Sequence, residues 1–128
     1  TMRVLVVDDE KDIVPLFKQK FKREINEGKI EFHFVYSAEE AIDFLRNASS
    51  SEVVLILSDI NMPGMNGLEL LKIIKKDFSH LTVFMITAYD DETKHQQAVQ
   101  FGADNYLTKP INFERLKEAM LNFSKIKE

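Results

Sequence analysis

The stretch from Val53 to Gly67 constrains the possible folds of this chain more than any other. It reads VVLILSDINMPGMNG and begins with five consecutive apolar residues, Val53 to Leu57. Such a run is too short to span a membrane and too uniform for a strand with one solvated face, so it predicts a strand buried on both faces. That strand would deliver Asp59 to its C-terminal end, ahead of residues typical of tight loops. Because open α/β sheets bind ligands at this edge, Asp59 is a candidate site residue, and capping of the turn is the competing interpretation.

The remainder of the chain alternates between short apolar runs and amphipathic stretches. Further strands are predicted at Val4–Val7, Ile30–Tyr36, Val83–Ile86 and Tyr106–Thr108. Helices are predicted from Asp12 to Gly28, from Ser37 to Asn47, after Gly67, from Asp90 to Gln100 and from Asn112 onwards. Strands that are separated by helical crossovers pair in parallel as right-handed βαβ units. The pattern therefore predicts an α/β fold with a doubly wound, five-stranded parallel sheet flanked by five helices.

The predicted helices differ in their capping and in their apolar anchoring. Asp12 is positioned to cap the first helix, and Ser37 and Glu40 have the spacing of a capping box. The helix from Asp90 to Gln100 is mostly polar. Its apolar anchors are Ala98, Val99 and Phe101. A weakly anchored helix is a candidate moving part.

Charge and composition narrow the classes of function. With 128 residues, of which 45% are hydrophobic, the chain fits a single compact domain. The 17 basic residues are scattered among 21 acidic ones, which argues against direct nucleic-acid binding. The sequence has no cysteine, so disulfides and thiolate metal sites are excluded. The run Val4–Val7 is far shorter than the apolar part of a signal peptide, and we expect a cytoplasmic protein that does not bind membranes. The three histidines, His33, His80 and His95, lack metal-ligand spacing and are interpreted as surface or edge residues.

Polar residues follow the predicted strands directly. The carboxyl ends of parallel strands lie at one edge, so these residues should converge there: Asp8, Asp9, Asp59, Thr87 and Lys109. Two like charges about 4 Å apart cost on the order of 4 kcal/mol at an effective dielectric constant of 20, so the three carboxylates need a cation. A hard divalent ion that prefers oxygen ligands, Mg²⁺ or alternatively Mn²⁺, is the natural choice.

The predicted pocket is suited to phosphate chemistry. The formal charges of the three carboxylates, one divalent cation and Lys109 cancel, so the pocket can accept a dianionic phosphoryl group. Asp59 would be the nucleophile and would form an aspartyl phosphate, while the metal and Lys109 hold the phosphoryl oxygens. Thr87 could donate a hydroxyl hydrogen bond to the same group.

Four motifs, VLVVDDE, LSDINMPGMNG, ITA and LTKP, resemble in order and spacing the receiver domain of two-component response regulators. The match extends over essentially the whole chain. The resemblance implies one receiver domain over residues 1–128, with a flavodoxin-like sheet in the order 2-1-3-4-5. It also implies a phosphorylation-dependent signalling switch that hydrolyses its phosphoryl group slowly and is not an enzyme in the usual sense.

By this resemblance, Asp59 is phosphorylated by a histidine kinase or a histidine phosphotransfer protein. The implied ligands of Mg²⁺ are Asp8, Asp9, Asp59 and the backbone carbonyl of Asn61. Lys109 contacts the phosphoryl group, and its peptide bond with Pro110 is expected to be cis.

The resemblance also implies a conformational response. Thr87 and Tyr106 form the switch pair and change the face made by the fourth helix, the fifth strand and the fifth helix. That face would control an output domain or partner protein, and phosphorylation-dependent homodimerisation is a further expectation. Asn61 and Tyr89 should tune the lifetime, since Asn61 can position an attacking water and Tyr89 can obstruct it, so Tyr89→Ala is expected to shorten the lifetime.

Two alternative functions remain open. A phosphatase of the haloacid dehalogenase type also uses an aspartate nucleophile with Mg²⁺, a threonine and a lysine. In that family the nucleophile follows the first strand and a second acid stands two residues later, whereas here Asp59 follows the third and Asn61 takes that place. Turnover of small phosphomonoesters would favour the phosphatase. An interaction module that works without phosphorylation is the other alternative, and absence of Mg²⁺ binding would favour it.

Overall fold

The computed structural model describes the backbone of residues 1–47, 53–88 and 92–127 and the side chains of these segments as far as Phe123. The strands are β1 (Met2–Val7), β2 (Ile30–Val35), β3 (Val53–Asp59), β4 (Thr82–Thr87) and β5 (Asn105–Thr108). The helices are α1 (Ile13–Lys20), α2 (Lys22–Asn26), α3 (Ala38–Arg46), α4 (Gly67–Asp77), α5 (Glu92–Gln100) and α6 (Phe113–Lys127). Within the described segments, no helix has both the length and the apolar composition needed to cross a bilayer.

The five strands form one sheet in the order β2-β1-β3-β4-β5, and every neighbouring pair is parallel. This confirms the predicted α/β fold and its strand order. The register pairs Val7 with Ser58, Asp59 with Ile86 and Thr87 with Thr108. The carboxyl ends of four strands are therefore nearly level, and the residues after them share one edge of the sheet.

Alternate residues along the strands pack into two apolar layers. Leu5 and Val7 belong to the layer that α3, α4 and α5 cover, whereas Val4 and Val6 belong to the layer under α1 and α6. Both faces of the sheet are thus covered by helices, as expected for doubly wound strands with continuous apolar runs. β3 is buried on both faces as predicted, except for Val54 near its start, which is 40% exposed.

The first predicted helix is divided at Phe21, so the described residues form six helices where the sequence predicted five. Phe21 has φ −108° and ψ 18°, outside the helical region. Its N–H still donates to the carbonyl of Phe17 at 2.9 Å, and its carbonyl accepts from Ile25 at 2.9 Å. The apolar spacing of these three residues continues across the break, which is why the sequence pattern does not reveal it.

The two predicted caps have opposite outcomes. The Glu40 N–H donates to the Ser37 hydroxyl at 3.0 Å, while the Glu40 carboxylate accepts from the Ser37 hydroxyl at 3.3 Å and from the Tyr36 N–H at 3.2 Å. This confirms the reciprocal cap at the start of α3. Asp12 precedes α1, but its side chain makes no capping hydrogen bond. Its own backbone is helical, with φ −62° and ψ −19°, whereas a capping side chain requires an extended backbone.

The prediction that α5 makes few apolar contacts is confirmed, but one of the three residues predicted to make them does not. Ala98 is the buried residue of this helix, and Phe101 packs half-buried against the same apolar layer. Val99 is 61% exposed. Successive helical residues point about 100° apart, so a short helix that buries Ala98 turns the next side chain towards solvent.

Candidate functional site

Three carboxylates meet at the carboxyl edge of the sheet. Asp8 follows β1 and is 3% exposed, Asp59 ends β3 and is 4% exposed, and Asp9 is exposed. One oxygen from each lies within 4.8 Å of the other two. The Glu10 N–H donates to Asp8 Oδ1 at 2.9 Å, which holds the turn after β1. The structure thus brings together acids that are about fifty residues apart in sequence, as the parallel topology requires.

Lys109 bridges the two buried carboxylates. Its Nζ lies 3.1 Å from Asp8 Oδ2 and 3.2 Å from Asp59 Oδ2, and its side chain is 21% exposed. The Lys109 N–H donates to the carbonyl of Thr87 at 2.6 Å, which fastens the end of β5 to the end of β4. The peptide bond between Lys109 and Pro110 is cis, as the motif implies. The main-chain bond thus holds the start of the Lys109 side chain at the site, and the two carboxylates hold its ammonium group.

The charges in this cluster do not balance without a further cation. Burial raises the pKa of Asp59, and the charge on Asp8 raises it further, against the opposing effect of Lys109. Burial alone would lower the pKa of Lys109, but its hydrogen bond to Asp8 and the charge of Asp59 outweigh burial, so that pKa is raised. One ammonium group thus leaves negative charge uncompensated. Clustered carboxylate oxygens with an accessible Asp9 fit a hard divalent ion such as Mg²⁺ or Mn²⁺.

The loop after Asp59 is held by close backbone contacts. The Ile60 N–H donates to the carbonyl of Ile86 at 2.9 Å, and the Gly67 N–H donates to the carbonyl of Ile60 at 2.8 Å. A Cβ atom built on Gly67 would lie 2.1 Å from the Asp59 carbonyl oxygen. Only glycine fits at this position, and its presence allows α4 to start directly against the backbone of Asp59 and Ile60.

We expect Gly67→Ala to destabilise the fold by about 3 kcal/mol or more, because backbone atoms cannot move aside as flexible side chains do. Gly28→Ala is the matched control: Gly28 has φ +71°, but a Cβ there would meet nothing within 4 Å. Its cost should be only the left-handed strain, about 1 to 2 kcal/mol. Chemical denaturation of both variants measures the difference. Equal losses of unfolding free energy would contradict the packing argument.

The expected switch residues lie on neighbouring strands. Thr87 is 1% exposed at the end of β4, one residue beyond the partner of Asp59. Tyr106 pairs with Met85 in the register of β4 and β5 and is half-buried. Its ring stacks on the ring of His95 in α5, with centroids 4.2 Å apart and planes 7° from parallel. Tyr106 thus contacts α5, and Thr87 ends the neighbouring strand beside Asp59.

Sequence reasoning missed two residues of α5. Lys94 donates from its ammonium group to Asn61 Oδ1, two residues after Asp59. His95 is half-buried and stacks on Tyr106 of the edge strand β5, a contact that its interpretation as a surface or edge residue did not anticipate. A polar helix gives no periodic signal for which side chains turn inward, and no sequence pattern could have identified them. Tyr89 lies outside the described residues.

Comparison with known proteins identifies the family at the level of sequence. The family model described as response regulator receiver domain matches residues 4–121. The heme response regulator HssR of Staphylococcus epidermidis is 36% identical over 112 residues, which are 88% of this chain and 46% of that protein. The response regulator protein FleR of Pseudomonas aeruginosa is 35% identical over 114 residues, which are 89% of this chain and 23% of that protein. The chain thus spans less than half of the length of either relative.

Solved structures agree with this result. A response regulator receiver domain protein from Clostridium thermocellum superposes with a TM-score of 0.86 at 26% identity, covering 99% of this chain and 97% of that chain. The receiver domain of a LuxO-type repressor protein from Vibrio parahaemolyticus gives a TM-score of 0.83 at 30% identity, covering 98% and 94%. With the family match, the shared fold and the acidic site at the strand ends, the chain belongs to the response regulator receiver domain family of two-component systems.

Proposed function

We propose that Asp59 accepts a phosphoryl group from a histidine kinase or a histidine phosphotransfer protein, in a reaction that requires Mg²⁺ or Mn²⁺. The observation that carries the proposal is the bridge from Lys109 to Asp8 and Asp59 within the carboxylate cluster. Lys109 contacts Asp59 through Oδ2, and the same ammonium group supplies a partner for the transferred phosphoryl group. The phosphorylated protein then controls an output domain or a partner protein.

The metal ligands in this proposal are the carboxylates of Asp8, Asp9 and Asp59 and the backbone carbonyl of Asn61. The bound cation supplies the positive charge that lets a phosphoryl dianion approach the acids. Asp9 is exposed and can turn towards an ion, whereas Asp8 is fixed by the Glu10 N–H and by Lys109. The chain therefore contributes one adjustable ligand beside two that are already in position.

The reaction itself is a direct transfer. A carboxylate oxygen of Asp59 forms a bond to phosphorus while the bond between phosphorus and the donor's histidine nitrogen breaks, and its electron pair stays on the imidazole. Lys109 is within hydrogen-bond distance of Asp59 and can contact the phosphoryl oxygens after transfer. The negative charge of these oxygens is then stabilised by an ammonium group that is already largely removed from water. The hydrogen bond from the Lys109 N–H to the Thr87 carbonyl keeps Lys109 beside the end of β4.

We expect the labelling of the native chain to depend on divalent metal. Incubation with acetyl phosphate and Mg²⁺ should add one phosphoryl group, seen by intact-mass spectrometry, and excess EDTA should abolish the addition, because the dianion would otherwise meet uncompensated carboxylates. Unchanged labelling in EDTA would contradict the metal site. Repeated turnover of a small phosphomonoester would instead favour the phosphatase alternative, although such enzymes have an acid at the position where this chain has Asn61.

A further inference from the structure

The contact between Lys94 and Asn61 joins α5 to the loop that carries the phosphoacceptor. Lys94 is the third residue of α5 and is half-buried, and its ammonium group donates to Asn61 Oδ1 across 33 positions of sequence. Asn61 is two residues beyond Asp59. Its amide is the first polar side chain in the loop that follows Asp59.

The chemistry of the two groups fixes how the amide is oriented. An amide side chain has one acceptor oxygen and one donor NH₂ group, whereas a lysine ammonium group can only donate. The oxygen of Asn61 therefore faces Lys94, and its NH₂ group faces away. This oxygen is the only atom of the Asn61 side chain that can accept a hydrogen bond, and Lys94 occupies one of its two lone pairs and fixes where the other points.

We propose that Lys94 is a positioning residue that engages the side-chain oxygen of Asn61 and thereby slows hydrolysis of phosphorylated Asp59; this inference rests on the proposed function. In that hydrolysis, the oxygen of water forms a bond to phosphorus. The bond between phosphorus and the Asp59 oxygen breaks, and its electron pair returns to the carboxylate. Both hydrogens of the water leave with the phosphate, which releases a proton to solvent at neutral pH. An acceptor that orients the water speeds the step, and Lys94 occupies one lone pair of that acceptor and fixes its direction.

A direct effect of the Lys94 charge on the phosphoryl group would act differently. The charge would influence the phosphoryl oxygens whether or not residue 61 carries an amide, whereas competition for the acceptor requires Asn61. The two explanations are therefore separated by removing both side chains together. Asn61→Ala removes the side-chain amide and leaves the backbone, and the extent of its labelling is measured beside that of the native chain.

The experiment compares the loss of the phosphoryl group from five proteins that have been labelled with acetyl phosphate and Mg²⁺: the native chain, Lys94→Met, Lys94→Arg, Asn61→Ala and the Lys94→Met/Asn61→Ala double variant. Lys94→Met should lose the phosphoryl group about three- to tenfold faster, as expected for release of one hydrogen bond at the protein surface. Lys94→Arg keeps a donor and should restore a nearly native rate. In the Asn61→Ala background, Lys94→Met should have no further effect. Lys76→Met, an exposed lysine on α4, controls for loss of charge.

The outcomes separate the inference from the function on which it rests. Absence of labelling in the native chain would overturn the proposed function and the role of Lys94 together. Labelling with equal rates in the native chain and Lys94→Met would overturn only the role of Lys94. So would an acceleration that persists in the Asn61→Ala background, since Lys94 would then act by its charge and not through the amide.

Discussion

An Asp59→Asn variant is expected to accept no phosphoryl group and, without divalent metal, to unfold at a higher temperature than the native chain. The amide is not a nucleophile, so transfer from acetyl phosphate should fall below detection. The gain in stability follows from the raised pKa of Asp59, which burial and the charge of Asp8 produce. An amide at this position can also donate to Asp8. Intact-mass labelling and thermal unfolding measure the two effects.

The gain in stability of Asp59→Asn should depend on pH in a defined direction. The pKa of Asp59 is raised in the folded state, so the native chain loses stability as pH rises through the folded pKa, and it carries no such penalty below the unfolded pKa. The difference in melting temperature should therefore grow with rising pH and shrink when Mg²⁺ is added. Asp43→Asn, which removes an exposed acid from α3, is the matched control and should change neither property. A labelled Asp59→Asn chain, or a melting temperature below that of the native chain, would refute the assignment.

The site was predictable where it depends on topology. Apolar runs followed at once by polar residues identify strand ends, and in a parallel sheet all strand ends share one edge. That reasoning brought Asp8, Asp59 and Lys109 together although none is near another in sequence. It needed only the alternation of strands and helices, which is strongly encoded because the central strands β1, β3 and β4 are apolar on both faces.

The helices were less predictable because their rotation depends on packing. The break at Phe21 preserves the spacing of apolar residues, and the exposure of Val99 depends on which side of α5 meets the sheet. The same dependence on helix rotation explains why Lys94 and His95 are half-buried. A helix with one buried residue has almost no apolar stripe, so its orientation is decided by polar and aromatic contacts that the sequence does not display.

Two side chains of α5 contact the rest of the molecule through polar and aromatic groups. Lys94 contacts Asn61, two residues beyond Asp59, and His95 stacks on Tyr106 in β5. Apolar packing contributes little to holding α5 against the sheet, because Ala98 is the one buried residue among the described residues of this helix. The loss of one hydrogen bond or the movement of one ring would therefore remove a large share of the interactions that hold α5 in place. In contrast, α1 packs on the sheet through the fully buried ring of Phe17.

We expect Thr87→Ala to keep phosphorylation of Asp59 but to lose most of the conformational response. When Asp59 carries a phosphoryl group, the Thr87 hydroxyl can gain a charge-assisted hydrogen bond worth about 1.5 to 3 kcal/mol, enough to shift a two-state equilibrium roughly ten- to hundredfold. Movement of Thr87 towards the site frees space on the side of β5, and the Tyr106 ring can follow it. Its stacking partner His95 links that movement to α5, so the face of α5, β5 and α6 should change while α1 does not.

Backbone NMR shifts with and without beryllium fluoride, a phosphoryl mimic, measure this response residue by residue. In the native chain, shifts should extend from the loops after β1 and β3 into α5 and β5; in Thr87→Ala they should stay in those loops. Thr87→Ser is the matched control, since it keeps the hydroxyl and should retain the wider pattern. Because Thr87 is almost fully buried, melting temperatures of both variants exclude a loss of fold as the cause. Shifts in α5 that are equal in the native chain and Thr87→Ala would show that the signal leaves the site by another route, with the contact of Lys94 to Asn61 as the next to test.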